Sequence, residues 1–247
     1  MNHYDGFLAD HYDWMCGGFD SGLARAQDFF ARHGLACPLG KALDLGCGSG
    51  FQSLALARLG MAVTAVDNSP RMLEILRTRK AAHGASPNDY PGSIRALCAD
   101  MLDAAAWADG GVFDLAICMG DSLAHLPNMD AVRQCLQQMR EHLAPQGWLA
   151  LTFRDQTEEL SGADRIIPLR LDPDRLMTTV LDYSPGTVTV HDVVHSREQG
   201  QWNVTKSSYV KTRLRTHEIS EFLDSLSMRQ VHSSLKRGMA VLVYANS

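Results

Sequence analysis

Between residues 41 and 155 short apolar runs alternate with helical segments, and this alternation restricts the fold more than any other feature. ALDL, MAVTAVD, SIRALCAD, FDLAICMG and WLALTF are strand-like; FQSLALARLG, MLEILRTRKAAHG and DAVRQCLQQMREHLAPQG lie between them. Apolar runs of this length belong to strands buried on both faces, so the pattern predicts a parallel sheet covered by helices, with right-handed crossovers. Ser69 and Pro70 suit the N-cap and first position of a helix. Val132, Leu136, Met139 and Leu143 fall on one stripe of the last helix.

The flanks read differently. LARAQDFFARHGL spaces Leu23, Ala26, Phe29, Phe30 and Leu35 near a helical period, with Gly34 as the stop. After about residue 155, RLMTTVLDY, TVTVHDVVHS and WNVTKSSYVKTRL alternate as strands. Ser184-Pro185-Gly186 and Glu198-Gln199-Gly200 punctuate them as turns. This predicts a small antiparallel sheet, followed by a helix at HEISEFLDSL and two closing strands. The expected division is 1–40 as a helical lid, 41–155 as the core, 156–215 as an antiparallel insertion, and 216–247 as a helix and strands that complete the core.

Composition narrows the function. Lys+Arg 23 against Asp+Glu 28 gives a net charge of −5, which disfavours sequence-independent nucleic-acid binding. No apolar run approaches the roughly 20 residues of a bilayer span. MNHYDGFLADHYDWM has no basic segment leading into an apolar core, so no secretory signal is expected and the predicted compartment is the cytoplasm. Cys16, Cys37, Cys47, Cys98, Cys118 and Cys135 form no C-x-x-C pair and are expected as free thiols. His191 and His195 lie four apart in a strand-like stretch, and no metal is expected. A small-molecule substrate is the expected partner, with the chain a monomer or homo-oligomer.

The chemistry concentrates in Asp44-Leu45-Gly46-Cys47-Gly48-Ser49-Gly50. Glycines at a strand-to-helix turn let main chain approach a ligand where a Cβ would collide, beside the unpaired N–H groups of a helix start. That suits a dinucleotide or another adenosine-bearing cofactor, although G-x-G-x-G is not the dinucleotide spacing. Asp67 ends the second strand, where a carboxylate accepts bonds from ribose hydroxyls. Asp100 ends the third, where one accepts from an exocyclic adenine amine. Acids at successive strand ends mark the carboxyl edge, where open α/β sheets bind ligands.

ALDLGCGSG, AVDNSPRML, CADM and FDLAICMGDSLAHL, in that order, resemble the class I S-adenosylmethionine (SAM) methyltransferases over about residues 40–155. The resemblance implies an α/β, Rossmann-like sheet with the antiparallel insertion after its fifth strand. It implies SAM as methyl donor and S-adenosylhomocysteine as product. Gly46, Cys47, Gly48 and Gly50 would pass under the methionyl part, with Asp44 reaching the same end. Asp67 would hold the ribose, Asn68 and Met72 would flank the adenine, and Asp100 and Met101 would meet it. Met119 would lie near the sulfonium, and Tyr12 sits in the family's Tyr-Asp lead-in. ICMGDSLAHL resembles the glycine and sarcosine N-methyltransferase branch, with Asp121 where that branch more often has Asn. Small heteroaromatic N-methyltransferases of the toxoflavin type are the related alternative.

The substrate side carries further candidates. Tyr4, Phe7, Tyr12 and Trp14 cluster in eleven residues, either as a lid over both ligands or as an aromatic helix packed on the sheet. Asp121, Ser122 and His125 follow the fourth strand. His125 with Asp121 is either a base pair for a hydroxyl acceptor or a brace for the loop. Arg154 either clamps an acidic or carbonyl group or makes a surface ion pair, and Tyr209 in the insertion is a weaker substrate contact. In-line transfer draws mainly on proximity, on the order of 7–11 kcal/mol. The resemblance makes N-methylation of a small molecule the leading expectation. The rivals are an O-methyltransferase using His125 as base, a nicotinamide dehydrogenase, and a non-catalytic SAM-binding protein.

Overall fold

The computed structural model describes residues 4–35, 40–83, 91–108 and 111–246. The predicted free thiol Cys37 and the side chain of Tyr4, a proposed substrate contact, lie outside what is described. The chain opens with a π-helical turn at Tyr4–Leu8, then α1 (Ala9–Met15) and α2 (Phe19–His33). The alternating core follows: β1 (Lys41–Leu45), α3 (Phe51–Arg58), β2 (Ala62–Asp67), α4 (Pro70–His83), β3 (Ser93–Cys98), α5 (Ala104–Trp107), β4 (Phe113–Cys118), a 3-10 turn at Ser122–His125, α6 (Met129–Glu141) and β5 (Leu143–Arg154). Next come β6 (Ile166–Leu171), β7 (Arg175–Tyr183), β8 (Thr187–Glu198) and β9 (Gln201–Thr212), then α7 (Thr216–Ser225), β10 (Met228–Lys236) and β11 (Met239–Asn246).

Seven strands form the main sheet in the order β10-β11-β5-β4-β1-β2-β3. β1 to β5 run parallel, and the closing hairpin adds β11 antiparallel to β5. One face is covered by Leu23 and Phe30 of α2, Leu54 and Leu56 of α3, and Leu73 and Leu76 of α4. The other carries Trp107, then Val132, Leu136 and Met139 of α6, and Ile219 and Leu223 of α7. Local chemistry sets the boundaries: Gly34 ends α2 with φ 63°, the Ser69 hydroxyl accepts from Met72 N at 3.2 Å, and Asn128 caps α6 through Ala131 N. Leu143 departs from the sequence reading. It opens β5 instead of closing the α6 stripe, because the helix stops at Glu141 and the chain turns back at once into the sheet.

The second sheet is antiparallel, β6-β7-β8-β9. Pro185-Gly186 and Gln199-Gly200 make its two-residue turns, the latter with φ 49° and 82°. β6 was not foreseen. Pro168 argues against a central strand, and β6 tolerates it as an edge strand whose register shifts between Pro168 and Arg170. The chain leaves and re-enters the core at one place. Gln156 N donates to Leu214 O (2.7 Å), and Thr216 N donates to the Asp155 carboxylate (2.7 Å).

Candidate active site

The first loop is shaped by where side chains are impossible. Gly46 has φ 71°, and a Cβ there would stand 2.5 Å from Ser122 Cβ. Gly50 has φ 92° and starts α3, where a Cβ would meet Leu76 at 2.2 Å. The amides of Gly46 and Cys47 both donate to Val66 O (2.8 and 3.0 Å), tying the loop to β2. Asp67 is held from two sides: Oδ2 accepts from Gly48 N (2.8 Å) and Oδ1 from Ser69 N (2.9 Å). Its carboxylate is therefore oriented without help from a ligand. Asp100 accepts from Leu102 N at 2.8 Å, in an exposed turn after β3.

A cavity of about 360 Å³ opens along these strand ends. Gly46, Gly48, Asp67, Asn68, Met72, Asp100 and Met101 line one part of it, with Val66, Ala99 and Leu102. Gly120, Ser122, His125, Leu126, Pro127 and Tyr209 line the other. Tyr12 of α1 belongs to the wall as well, stacked on Phe51 with ring centroids 5.8 Å apart. Burial, and then nearby thiol and carboxylate groups, push its phenol pKa up, so Tyr12 stays protonated. Ion pairs Asp10–Arg71 and Asp13–Arg79 pin α1 to α4, and Leu8 packs with Met72, Met177 and Val194. Of the amino-terminal aromatics described, Tyr12 reaches the cavity, while Phe7 and Trp14 pack around Leu8.

Several predicted site residues stand elsewhere. Asp44, 1% exposed, accepts from the Ser53 hydroxyl (2.6 Å) and braces β1 against α3 behind the wall. Burial raises its pKa to about 7, the Ser53 bond opposing. Cys47 and Met119 are buried in the core, and Gly50 touches Leu76. Trp14 points away, donating to Asp172 (2.5 Å) under the Arg175 guanidinium. Arg154 is exposed; its amide donates to Asp121 Oδ1 (2.9 Å), and the charge of its guanidinium acts on the Tyr209 phenol. Asp121 itself is 7% exposed at φ 75°, and its Oδ2 receives Lys211 Nζ at 2.6 Å. The Asp121 carboxylate, offered by the sequence as a base beside His125, is thus bonded on one oxygen to Lys211 and on the other to the β5 main chain. Ser122 does line the cavity, and its hydroxyl reaches the carbonyls of Gly46 (3.1 Å) and Met119 (3.0 Å).

Sequence reasoning missed the buried polar face of the second sheet. Val188, Val190, Asp192 and Val194 share one side of β8, so Asp192 interrupts an apolar row at 2% exposure. That interruption was readable from the alternation. The Asp192 carboxylate accepts from the Thr179 hydroxyl across β7 and from the Tyr209 hydroxyl on β9. Tyr209 stacks on His125, with centroids 5.4 Å apart and planes 22° from parallel. Thr212 Oγ1 donates to Leu126 O (2.6 Å). Together with Lys211–Asp121, this fastens β9 to the loop after β4.

Residues 42–147 match the family model of a methyltransferase domain. The fold is that of the class I SAM-dependent methyltransferases. A ubiquinone biosynthesis O-methyltransferase of Xanthomonas campestris pv. campestris (strain B100) is 31% identical over 124 residues, 50% of this chain and 46% of that protein. The chain thus spans about half the length of the curated relatives it matches. Two solved methyltransferases share the whole architecture. The CcbJ methyltransferase from Streptomyces caelestis has TM-score 0.81 and 21% identity, over 100% of this chain and 98% of the other. SAM-bound CalS10, an amino pentose methyltransferase from Micromonospora echinaspora, has TM-score 0.73 and 18% identity over 92% of each. Among the described residues no helix is long and apolar enough to cross a membrane, and no cluster of three metal-ligating side chains occurs.

Proposed function

We propose that this chain binds SAM in the cavity and methylates a nitrogen of a small molecule. The observation that carries this reading is the continuity of one cavity from Asp67 and the glycine loop to His125 and Tyr209. Its first half fits the donor: Gly46 leaves main chain bare where a Cβ has no room, and pre-oriented Asp67 presents an acceptor for vicinal hydroxyls. Gly46, Gly48, Asp67, Asn68, Met72, Asp100 and Met101 would hold the donor, and Tyr12 would cover it. When bound, SAM supplies a methyl group activated by a sulfonium. The chain's own share is to hold the acceptor in line, exclude water beneath Tyr12 and confine approach to one direction.

Nitrogen is favoured because the full-length structural likeness includes an amino pentose methyltransferase, whereas the O-methyltransferase relatives match only half the chain. The committed carboxylate of Asp121 also takes away half of the acid–base pair that a hydroxyl acceptor would use. His125 still lines the cavity, so O-methylation with His125 as base is the second reading. The methyltransferase match speaks against the dehydrogenase alternative, and the reach of the cavity beyond the glycine loop speaks against a purely sensory protein.

The test is incubation with methyl-labelled SAM and a metabolite extract, followed by mass spectrometry of labelled products. An N-methyl product bears the reading out. An O-methyl product that disappears with His125→Ala replaces it with the second. SAM binding without any labelled product overturns both.

A further inference from the structure

We propose that Asp192, buried in the second sheet behind the cavity, is a positioning residue for the acceptor end of the site: by holding the Tyr209 hydroxyl it fixes the ring that stacks on His125. The proposal rests on the methyl-transfer reading above and applies alike to a nitrogen or an oxygen acceptor.

Register brings the side chains together. Asp192 of β8 lies directly opposite Thr179 of β7 and Ser207 of β9. Tyr209 is two residues beyond Ser207, so it is the diagonal neighbour on the same face, a separation of about 7–8 Å that a long side chain spans. The carboxylate therefore bridges three adjacent strands, accepting from the Thr179 hydroxyl on one side and the Tyr209 hydroxyl on the other. At 2% exposure a carboxylate is costly to keep without such donors. The Tyr209 bond has a fixed direction. Burial and the carboxylates of Asp192 and Asp121 push the phenol up, the charge of Arg154 opposing, so it stays protonated and donates.

Of these residues Tyr209 alone carries the effect to the cavity. It lines the wall together with His125, and Thr179 and Asp192 do not. β9 is the edge of its sheet, so Tyr209 has a strand neighbour on one side, and Asp192 stands on that side. The ring faces His125 with centroids 5.4 Å apart and planes 22° from parallel, and Lys211 Nζ lies 5.3 Å from its centroid. The phenol end is thus pinned within the sheet while the ring face sets the plane of the imidazole. Without the carboxylate, both hydroxyls lose their common acceptor and the ring loses the bond that orients it.

Two readouts test this. Protein containing histidine with carbon-13 at Cε1 reports the stack by nuclear magnetic resonance without any ligand, the His125 signal being the one missing in His125→Gln. Asp192→Ala should move that signal toward its position in the unfolded chain. Asp192→Asn, which still offers the phenol an acceptor, should leave it in place. The second readout uses methyl-labelled SAM and the acceptor it labels in a metabolite extract. Asp192→Ala and Tyr209→Phe should each raise the acceptor KM roughly five- to tenfold, the loss of one hydrogen bond, with the SAM Kd within about twofold of the parent. Asp192→Asn should restore KM. A merely structural loss would instead lower the fraction of protein that binds SAM and leave KM alone. An unmoved His125 signal in Asp192→Ala, an unchanged KM in Tyr209→Phe, an Asp192→Asn as impaired as Asp192→Ala, or a parallel loss of SAM affinity overturns the positioning role. If Asp192→Ala does not fold, Tyr209→Phe decides by the same two readouts. If the parent labels nothing, the methyl-transfer reading falls, and the histidine signal alone decides whether Asp192 holds the ring.

Discussion

The Lys211–Asp121 pair is the most exposed to test, because it joins the second sheet to the loop after β4 through two almost fully buried charges. Their side chains are 13% and 9% exposed, 2.6 Å apart. Lys211→Met keeps the apolar stem and removes the ammonium. It leaves the Asp121 carboxylate with only Arg154 N as a partner. Breaking a buried pair from one side costs about 3–5 kcal/mol. In a chain of this size each kcal/mol moves Tm by about 2–4 °C, so a fall of roughly 6–20 °C is expected. Asp121→Asn in the same background removes the stranded charge, tolerates the positive φ and still accepts from Arg154 N. The double variant should therefore recover more than half of the loss. Urea unfolding of the parent, both single variants and the double variant measures the coupling directly. A Lys211→Met loss under about 1 kcal/mol, the range of exposed pairs, would show that the pair is solvated and does not fasten the two sheets.

Other outcomes follow from the site. Asp67→Ala should weaken SAM binding at least tenfold, about 1.4 kcal/mol or more, by calorimetry. Removing residues 1–15 takes away Tyr12 and the Asp10 and Asp13 pairs but none of the sheet. It should preserve the far-ultraviolet spectrum and abolish incorporation of labelled methyl. Asp44 has a native pKa of about 7 against 3.8 for the ordinary carboxyl, so the native state binds the extra proton. Its contribution favours folding at low pH and is lost as pH rises from about 4 to 7, by up to ~1.4 kcal/mol per unit. Urea titrations across that range should show Asp44→Asn gaining stability relative to the parent as pH rises, and then running level above pH 7.

The part of the cavity around the glycine loop was legible because its residues are local in sequence. Gly46, Gly48, Asp67 and Asp100 sit where strands end, and a strand end is visible as an apolar run breaking off. The residues that failed are those whose partners lie far along the chain. Asp121 reads as a base until Lys211, 90 positions on, reaches it. Trp14 reads as a substrate contact until Asp172, 158 positions on, captures its indole N–H. β6 was hidden by Pro168, which only knowledge of strand order shows to lie at an edge. Asp44 differs for another reason: a carboxylate two residues before the glycine loop reads as facing a ligand, and in space its partner is Ser53.

The bonds of Gln156 to Leu214 and of Asp155 to Thr216 bring the entry and exit of the four-stranded unit to one seam beside β5. Beyond that seam the unit is also held by Lys211 to Asp121, Thr212 to Leu126 and Trp14 to Asp172, so a change within it is felt at once by the loop after β4 and by the amino-terminal helix.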